Sequence, residues 1–156
     1  MIYLKTDEEV ELMRRSNDLL GRTLAEVAKV IRPGVTTAEL DKVAYEFICD
    51  NGGVPSCLGY EGYPATLCTS VNEQVVHGIP SNKVILKDGD IVSVDTVVKL
   101  GGFCADSAYT FPVGEVAPEV LQLMRTTKQA LYLGIEQAVT GRRLGDIGAT
   151  IQQHCE

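Results

Sequence analysis

The sequence lacks the surface charge and the long apolar runs that mark several function classes. Its 14 Lys and Arg residues are outnumbered by 21 Asp and Glu residues, which gives a formal net charge of −7 at pH 7. Nucleic acids and anionic membranes attract basic surfaces, so neither partner is expected. No apolar run approaches the ~18 residues of a membrane span, and the first residues lack a signal-peptide layout. These absences favour a cytoplasmic protein.

Paired cysteines and several familiar motifs are also missing. The five cysteines are an odd number and include no Cys-x-x-Cys pair, so neither a disulfide framework nor a zinc ribbon is expected. Free thiols in a reducing compartment fit this pattern better. The sequence contains neither a phosphate-binding glycine loop nor a Gly-x-Ser-x-Gly nucleophile elbow. No phosphate-loop or serine-hydrolase chemistry is therefore expected.

The residues that are present predict helices on both sides of a β-rich middle. With 156 residues, 45% of them hydrophobic and 22% charged, the chain has an ordinary globular composition. Capping boxes predict helix starts at Thr6 and Thr36, and Pro118 opens a third helix before a last one near Leu144. Strands are predicted at Ala65 to Val71, Val75 to Ile79, Ile91 to Leu100 and Phe103 to Val113.

The two helical regions resemble each other faintly. Pro33-Gly34 is followed by Leu40-Asp41-Lys42-Val43-Ala44, and Thr140-Gly141 is followed by Leu144-Gly145-Asp146-Ile147-Gly148. This pattern indicates either an internal repeat or two unrelated helical hairpins that share a glycine. Under the first interpretation, the chain ends where a second sheet would begin.

Two aspartates are predicted to share one face of a β-hairpin. Gly101-Gly102 is a favoured two-residue turn, and it places Asp95 opposite Ala108. Asp106 then lies on the same face, diagonal to Asp95. Two neighbouring carboxylates repel unless they are protonated or bridged by a cation. A divalent-ion site and a solvated sheet face with ordinary acids both remain open.

Other candidate site residues lie in two loops. His77 follows apolar residues and precedes a turn, a position that suits either a functional cleft or a structural histidine. Cys57, Tyr60 and Tyr63 occupy a glycine-containing loop, where they would wall an apolar pocket or simply pack as a lid.

Taken together, these motifs resemble the type I methionine aminopeptidases of bacteria. The resemblance is carried by Cys57-Leu-Gly-Tyr-Glu-Gly-Tyr-Pro64, Cys68, Asn72-Glu73, His77-Gly-Ile-Pro80, Asp88-Gly-Asp-Ile-Val92 with Asp95, and Gly102-Phe-Cys-Ala-Asp106-Ser. It implies the α+β pita-bread fold, two pseudo-symmetric halves around a dinuclear metal centre. Residues 1–156 would form one incomplete domain, with the first half at 1–113 and the opening helices of the second half at 114–156.

The same resemblance implies roles for individual residues. Asp95 and Asp106 would be metal ligands. His77 would be the catalytic residue that holds the substrate and stabilises developing charge. The pocket for the methionine side chain would be lined by Cys57, Tyr60, Tyr63 and Cys68.

The resemblance also implies cofactors and substrates. The complete enzyme would use two divalent ions (Co, Mn, Fe or Zn) to remove methionine from the N-terminus of nascent proteins. The family's remaining ligands, one His and two Glu, have no counterpart in this sequence, so we expect weak or partial metal binding and little or no activity. Two alternatives are a non-catalytic peptide-binding or interaction module on the same fold and an assembly in which the uncovered sheet is covered by another copy, through self-association, or by a separate C-terminal chain.

Overall fold

The computed structural model describes residues 2–156 and has a mixed helix and sheet architecture. The elements, in chain order, are α1 (Asp7–Val30), α2 (Thr37–Asp50), β1 (Val54–Pro55), β2 (Leu67–Val71), β3 (Ile91–Leu100), β4 (Phe103–Pro112), α3 (Pro118–Gln137) and α4 (Leu144–Cys155). A 3₁₀ turn covers Tyr60–Gly62. None of the helices in residues 2–156 has the length and apolar character that a membrane span requires. The predicted α+β class is confirmed.

The chain divides into two compact units, Met1–Glu115 and Val116–Glu156. The first unit contains an antiparallel sheet with β3 at its centre. β4 pairs with β3 along its whole length, while β2 and β1 pair with successive stretches of it. Because β3 has only two edges, β1 and β2 share one of them and β4 occupies the other.

Helices α1 and α2 pack on one face of this sheet. Val92, Val94 and Val98 alternate along β3 and are fully buried. They form the core with apolar residues from both helices and from β2, including Leu20, Val27, Leu40, Ala44, Ile48 and Leu67. Since successive side chains of a strand point to opposite faces, the intervening residues of β3 lie on the face turned away from the helices.

Both predicted capping boxes are confirmed. The Thr6 hydroxyl accepts a hydrogen bond from the Glu9 amide at 3.2 Å, and the Glu9 carboxylate accepts one from the Thr6 amide at 2.9 Å. Thr36 and Glu39 make the same reciprocal pair at 3.2 and 2.7 Å. These side chains satisfy amides that would otherwise lack partners at the helix start.

The strand predicted at Val75 to Ile79 is wrong, because these residues form a loop after β2. Val75 is 85% exposed and Ile79 is 57% exposed, so their apolar character does not reflect burial in a sheet. The backbone also leaves the extended region at Asn72 (φ 52°) and at His77 (φ 59°). The positive φ of His77 interrupts any regular strand within the segment, and that of Asn72 turns the chain directly after β2.

The second unit consists of α3 and α4, which pack against each other. Gly134 permits their close approach, since a Cβ atom at this position would lie 2.9 Å from Cδ1 of Ile151. Ala130 and Gly134 are the buried residues of α3, and α4 has none. This unit therefore has a much smaller apolar interior than the first.

Candidate functional site

The β3–β4 hairpin brings Asp95 and Asp106 to one face of the sheet. Asp95 pairs with Ala108 and Val97 pairs with Asp106 in the observed register, as the Gly101-Gly102 turn predicts. Asp95 alternates with the core residues Val94 and Thr96, so both carboxylates lie on the face turned away from α1 and α2. Asp95 is half-buried and Asp106 is exposed.

The two carboxylates interact electrostatically. Burial raises the pKa of Asp95, and the negative charge of Asp106 raises it further. The electrostatic interaction with His77 and the hydrogen bond from the Thr96 amide act in the opposite direction and lower the pKa of Asp95. Asp95 therefore lies within electrostatic reach of both Asp106 and His77, and a cation between the carboxylates would relieve their repulsion.

Two thiols border the carboxylate pair. Cys68 on β2 is directly opposite Asp95 on β3, and the Cys57 sulfur accepts a hydrogen bond from the Val97 amide at 3.3 Å. Burial raises the pKa of both thiols, and the negative charges of Asp95 and Asp106 raise it further. Both cysteines are thus protonated at neutral pH and present soft, weakly polar surfaces rather than thiolate nucleophiles.

The two predicted pocket tyrosines differ in their surroundings. The Tyr63 hydroxyl lies 2.9 Å from the Leu67 carbonyl oxygen and 3.3 Å from the Gly78 carbonyl oxygen. Burial raises the pKa of Tyr63 above its ordinary value, so the hydroxyl stays protonated and donates to these carbonyls. Tyr60, in the 3₁₀ turn, is 68% exposed.

His77 lies in the exposed loop between β2 and Pro80. Its φ of 59° is a left-handed conformation that residues with a side chain seldom adopt. Gly78, the next residue, is buried against the outer edge of β2. Such backbone strain is common at binding and catalytic sites, where the surrounding contacts hold it in place.

The donor groups fit part of a divalent-metal site. Carboxylate oxygens suit ions such as Mg²⁺ and Mn²⁺, and imidazole suits Zn²⁺ and Fe²⁺. Within residues 2–156, however, no three His, Cys, Asp or Glu side chains converge to hold an ion. Two carboxylates alone are too few ligands for a complete divalent-metal site.

Sequence reasoning missed two polar residues that organise this region. The Ser70 hydroxyl accepts a hydrogen bond from the Gly78 amide at 3.1 Å, and Asp41 accepts from the amides of Thr66 and Leu67 at 2.9 and 2.7 Å. No local pattern assigns either side chain a hydrogen-bond partner. The amides that Asp41 binds are 25 and 26 residues away, and the amide that Ser70 binds lies across an irregular loop, so only the folded chain reveals them.

Comparison with known proteins identifies the family. Residues 11–156 match the sequence profile of metallopeptidase family M24, and the chain belongs to this family. Among its relatives are the methionine aminopeptidase of Clostridium acetobutylicum, 46% identical over all 156 residues, and methionine aminopeptidase 1 of Bacillus subtilis, 44% identical over the same span. The chain spans 62% of the length of each of these relatives.

Solved structures confirm the predicted pita-bread fold. The crystal structure of methionine aminopeptidase from Rickettsia prowazekii superimposes with a TM-score of 0.96 at 38% identity, covering 99% of this chain and 62% of that one. A variant of Escherichia coli aminopeptidase P superimposes with a TM-score of 0.83 at 18% identity, covering 97% and 33%. The second comparison shows a shared fold alone.

Proposed function

We propose that the chain carries part of the active site of a methionine aminopeptidase, a metal-dependent hydrolase that removes the N-terminal methionine of nascent proteins. The observation that carries the proposal is the carboxylate pair, Asp95 and Asp106, on a sheet face bordered by His77 and two protonated thiols. Sequence identity of 46% to a methionine aminopeptidase over the whole chain supports the substrate assignment.

In this proposal, Asp95 and Asp106 hold divalent ions and His77 binds the substrate peptide. When bound, divalent ions would polarise the carbonyl group of the substrate and lower the pKa of a bound water molecule. Cobalt, manganese, iron and zinc all remain candidates, since carboxylate and imidazole ligands do not select one of them. The exposed imidazole of His77 offers two nitrogen atoms that donate to or accept from a peptide group.

The methionine side chain would occupy a pocket lined by Cys57, Cys68, Tyr63 and Tyr60. A thioether is polarizable and packs well against sulfur atoms and aromatic rings. Protonated thiols suit this role better than thiolates. An apolar side chain can pack against a protonated thiol without burying a charge.

Metal binding tests the carboxylate pair directly. We expect the 156-residue chain to bind Mn²⁺ with a Kd on the order of 10⁻⁴–10⁻³ M, the range of weak carboxylate sites. Asp106→Asn should abolish this binding in isothermal titration calorimetry. Asp18→Asn, which changes an exposed acid that pairs with Arg22 on α1, is the matched control and should leave it intact. Tight binding of two ions would contradict the proposal of a partial site.

A non-catalytic peptide-binding module is the second candidate function. Within residues 2–156, no third His, Cys, Asp or Glu side chain converges with Asp95 and Asp106 in a group that could hold an ion, which favours this candidate. Incubation with a Met-Ala-Ser peptide separates the two candidates. Hydrolysis that Asp106→Asn abolishes supports the enzyme, whereas binding without turnover supports the module. We expect the 156-residue chain to hydrolyse this peptide weakly or not at all.

We further propose that the chain self-associates through β4. No strand within residues 2–156 pairs with the outer edge of β4, and such edges recruit other strands. Sedimentation should show concentration-dependent dimers of the wild-type chain. Ser107→Lys, which places a charge on this edge at an exposed position, should keep the chain monomeric. Dimers of equal strength in both proteins would count against this surface.

A cytoplasmic location is also part of the proposal, as is the lack of nucleic-acid and membrane partners. The five cysteines are all free thiols, as expected in a reducing compartment. The net charge of −7 disfavours binding to polyanions.

A further inference from the structure

The loop that carries His77 returns to β2 and is fixed there by Gly78. The Thr69 amide donates to the Gly78 carbonyl oxygen at 2.7 Å, and the Gly78 amide donates to the Ser70 hydroxyl at 3.1 Å. The Tyr63 hydroxyl lies 3.3 Å from the same Gly78 carbonyl. Both backbone groups of Gly78 are thus paired. We call this set of contacts, made by Tyr63, Thr69, Ser70 and Gly78, the Gly78 clamp.

The clamp leaves no room for a side chain at position 78. A Cβ atom on Gly78 would lie 2.2 Å from the carbonyl oxygen of Thr69, far inside van der Waals contact. Glycine is therefore required here for close backbone approach rather than for an unusual φ. The fit also shows that the loop packs tightly on β2.

The loop is anchored at its beginning as well. The Asn72 side chain accepts a hydrogen bond from the Ile91 amide at 3.0 Å and donates one to Asp90 at 2.8 Å. Between this anchor and the Gly78 clamp, His77 adopts a φ of 59°. A residue with a Cβ atom is disfavoured in this region, so the adjoining contacts must hold it.

We propose that Ser70 and Tyr63 are positioning residues for His77. By fixing the amide and the carbonyl of Gly78, their hydroxyls hold the preceding residue in its left-handed conformation beside β2, the strand on which Cys68 lies opposite Asp95. The use of His77 in substrate binding rests on the proposed function. The placement of His77 by the Gly78 clamp is independent of the proposed function.

In the clamp, Tyr63 and Ser70 have positioning roles that the sequence alone does not predict. Tyr63 acts through its hydroxyl as well as through the ring that would line the pocket. Ser70, 3% exposed, reaches no ligand itself and acts through the backbone of the neighbouring loop.

Nuclear magnetic resonance on the 156-residue chain tests the proposal. Ser70→Ala removes the acceptor of the Gly78 amide, and Tyr63→Phe removes the hydroxyl while keeping the ring. We expect both variants to change the φ-sensitive backbone coupling of His77 and its imidazole resonances. Hydrogen exchange of the Gly78 amide should accelerate about tenfold in Ser70→Ala, as expected for the loss of one hydrogen bond.

Two further variants make the result specific. Ser70→Thr retains a hydroxyl and should restore the wild-type signals of His77. Ser93→Ala is the matched control, because Ser93 is directly opposite Ser70 in the sheet but bonds to Thr110 on β4. It should leave His77 unchanged.

Every result of these measurements either supports or contradicts the proposal. Unchanged His77 signals in Ser70→Ala and Tyr63→Phe would overturn the proposal, even if both variants were less stable, and so would an equal change in Ser93→Ala. If Ser70→Ala does not fold, Tyr63→Phe and Ser70→Thr carry the test. Because these measurements need no metal and no turnover, a failure of Mn²⁺ binding or hydrolysis would count against the proposed function alone.

Discussion

At the residue scale, Asp41 ties the helical layer to the strand that carries Cys68. Its carboxylate accepts hydrogen bonds from the amides of Thr66 and Leu67, just where β2 begins. Burial raises the pKa of Asp41, while these two amides lower it. One α2 side chain thereby fixes the start of a strand that borders the candidate site.

Removing this acceptor should destabilise the fold. Asp41→Ala leaves two amides at the start of β2 without a partner, and hydrogen bonds to a charged group contribute about 1.5–3 kcal/mol. We expect the free energy of unfolding, measured by urea denaturation, to fall by roughly this amount. Asp41→Asn keeps an oxygen acceptor and should lose much less. Equal losses in both variants would show that the carboxylate's charge, rather than its acceptor geometry, is essential.

The raised pKa of Asp41 determines whether the free energy of unfolding rises or falls with pH. A carboxyl whose pKa is raised by folding contributes fully below its unfolded pKa, about 3.9, and loses that contribution as pH rises through the folded value. The unfolding free energy of the wild type, relative to Asp41→Asn, should therefore decrease as the pH rises above about 3.9, the unfolded value. A relative increase over this range would contradict a raised pKa.

The sequence predicts the carboxylate pair well and its surroundings poorly. The pairing of Asp95 with Ala108 follows from two adjacent glycines and the alternation of a strand, both of which are local. Asp41 accepts from amides 25 and 26 residues away in the chain, and Ser70 pairs with Gly78 across an irregular loop whose path no local pattern predicts. Hydroxyl and carboxylate side chains on helices and strands also have many possible partners, so their type alone selects none.

At the element scale, the β3–β4 turn sets the geometry of the site. Gly101 and Gly102 have φ values of 59° and 90°, as a type I′ turn requires. Gly102→Ala forces a side chain into this region and should lower the free energy of unfolding by about 1–2 kcal/mol. The measurement is urea denaturation.

Gly148→Ala is the control for this substitution. Gly148 lies within α4, has an ordinary φ, and has open space where a Cβ atom would be. Alanine is the better helix former, so this change should leave stability equal or higher. If Gly148→Ala lowered the free energy of unfolding as much as Gly102→Ala does, the effect of Gly102→Ala could not be attributed to the turn.

The incorrect strand at Val75 to Ile79 shows where element prediction fails. Closely spaced apolar residues are typical of a strand, yet these side chains are largely exposed. The backbone path is determined instead by the Asn72 anchor and by the Gly78 clamp. The anchor lies outside the segment, and the clamp joins its Gly78 to Tyr63, Thr69 and Ser70 outside it, so the apolar pattern of the segment alone does not predict this path.

At the scale of the whole molecule, the buried apolar residues are divided unequally. Both core clusters lie in the first unit, whereas the second unit has Ala130 as its buried hydrophobic residue. Helices in proteins gain most of their stability from packing an apolar face against other elements, and isolated short helices are marginally stable in water. The first unit therefore has its own basis for folding, and the second has little.

A fragment of residues 1–115 should accordingly retain its fold. Its amide resonances should overlay those of the same residues in the 156-residue chain, apart from those near the new terminus. The fragment 116–156 should show little helical circular dichroism in water. Loss of structure in the first fragment, or a stably helical second one, would contradict this division of stability.

The β3–β4 hairpin carries both aspartates, and this affects the order in which the chain folds. Asp95 and Asp106 occupy adjacent strands joined by a two-residue turn, so bringing them together requires little loop-closure entropy. Hairpins of this kind form in about 1–10 μs, ahead of contacts between remote segments. The carboxylates should therefore meet early, before β2 and its thiol arrive, and the unfavourable proximity of their charges would be a feature of the folding pathway as well as of the folded state.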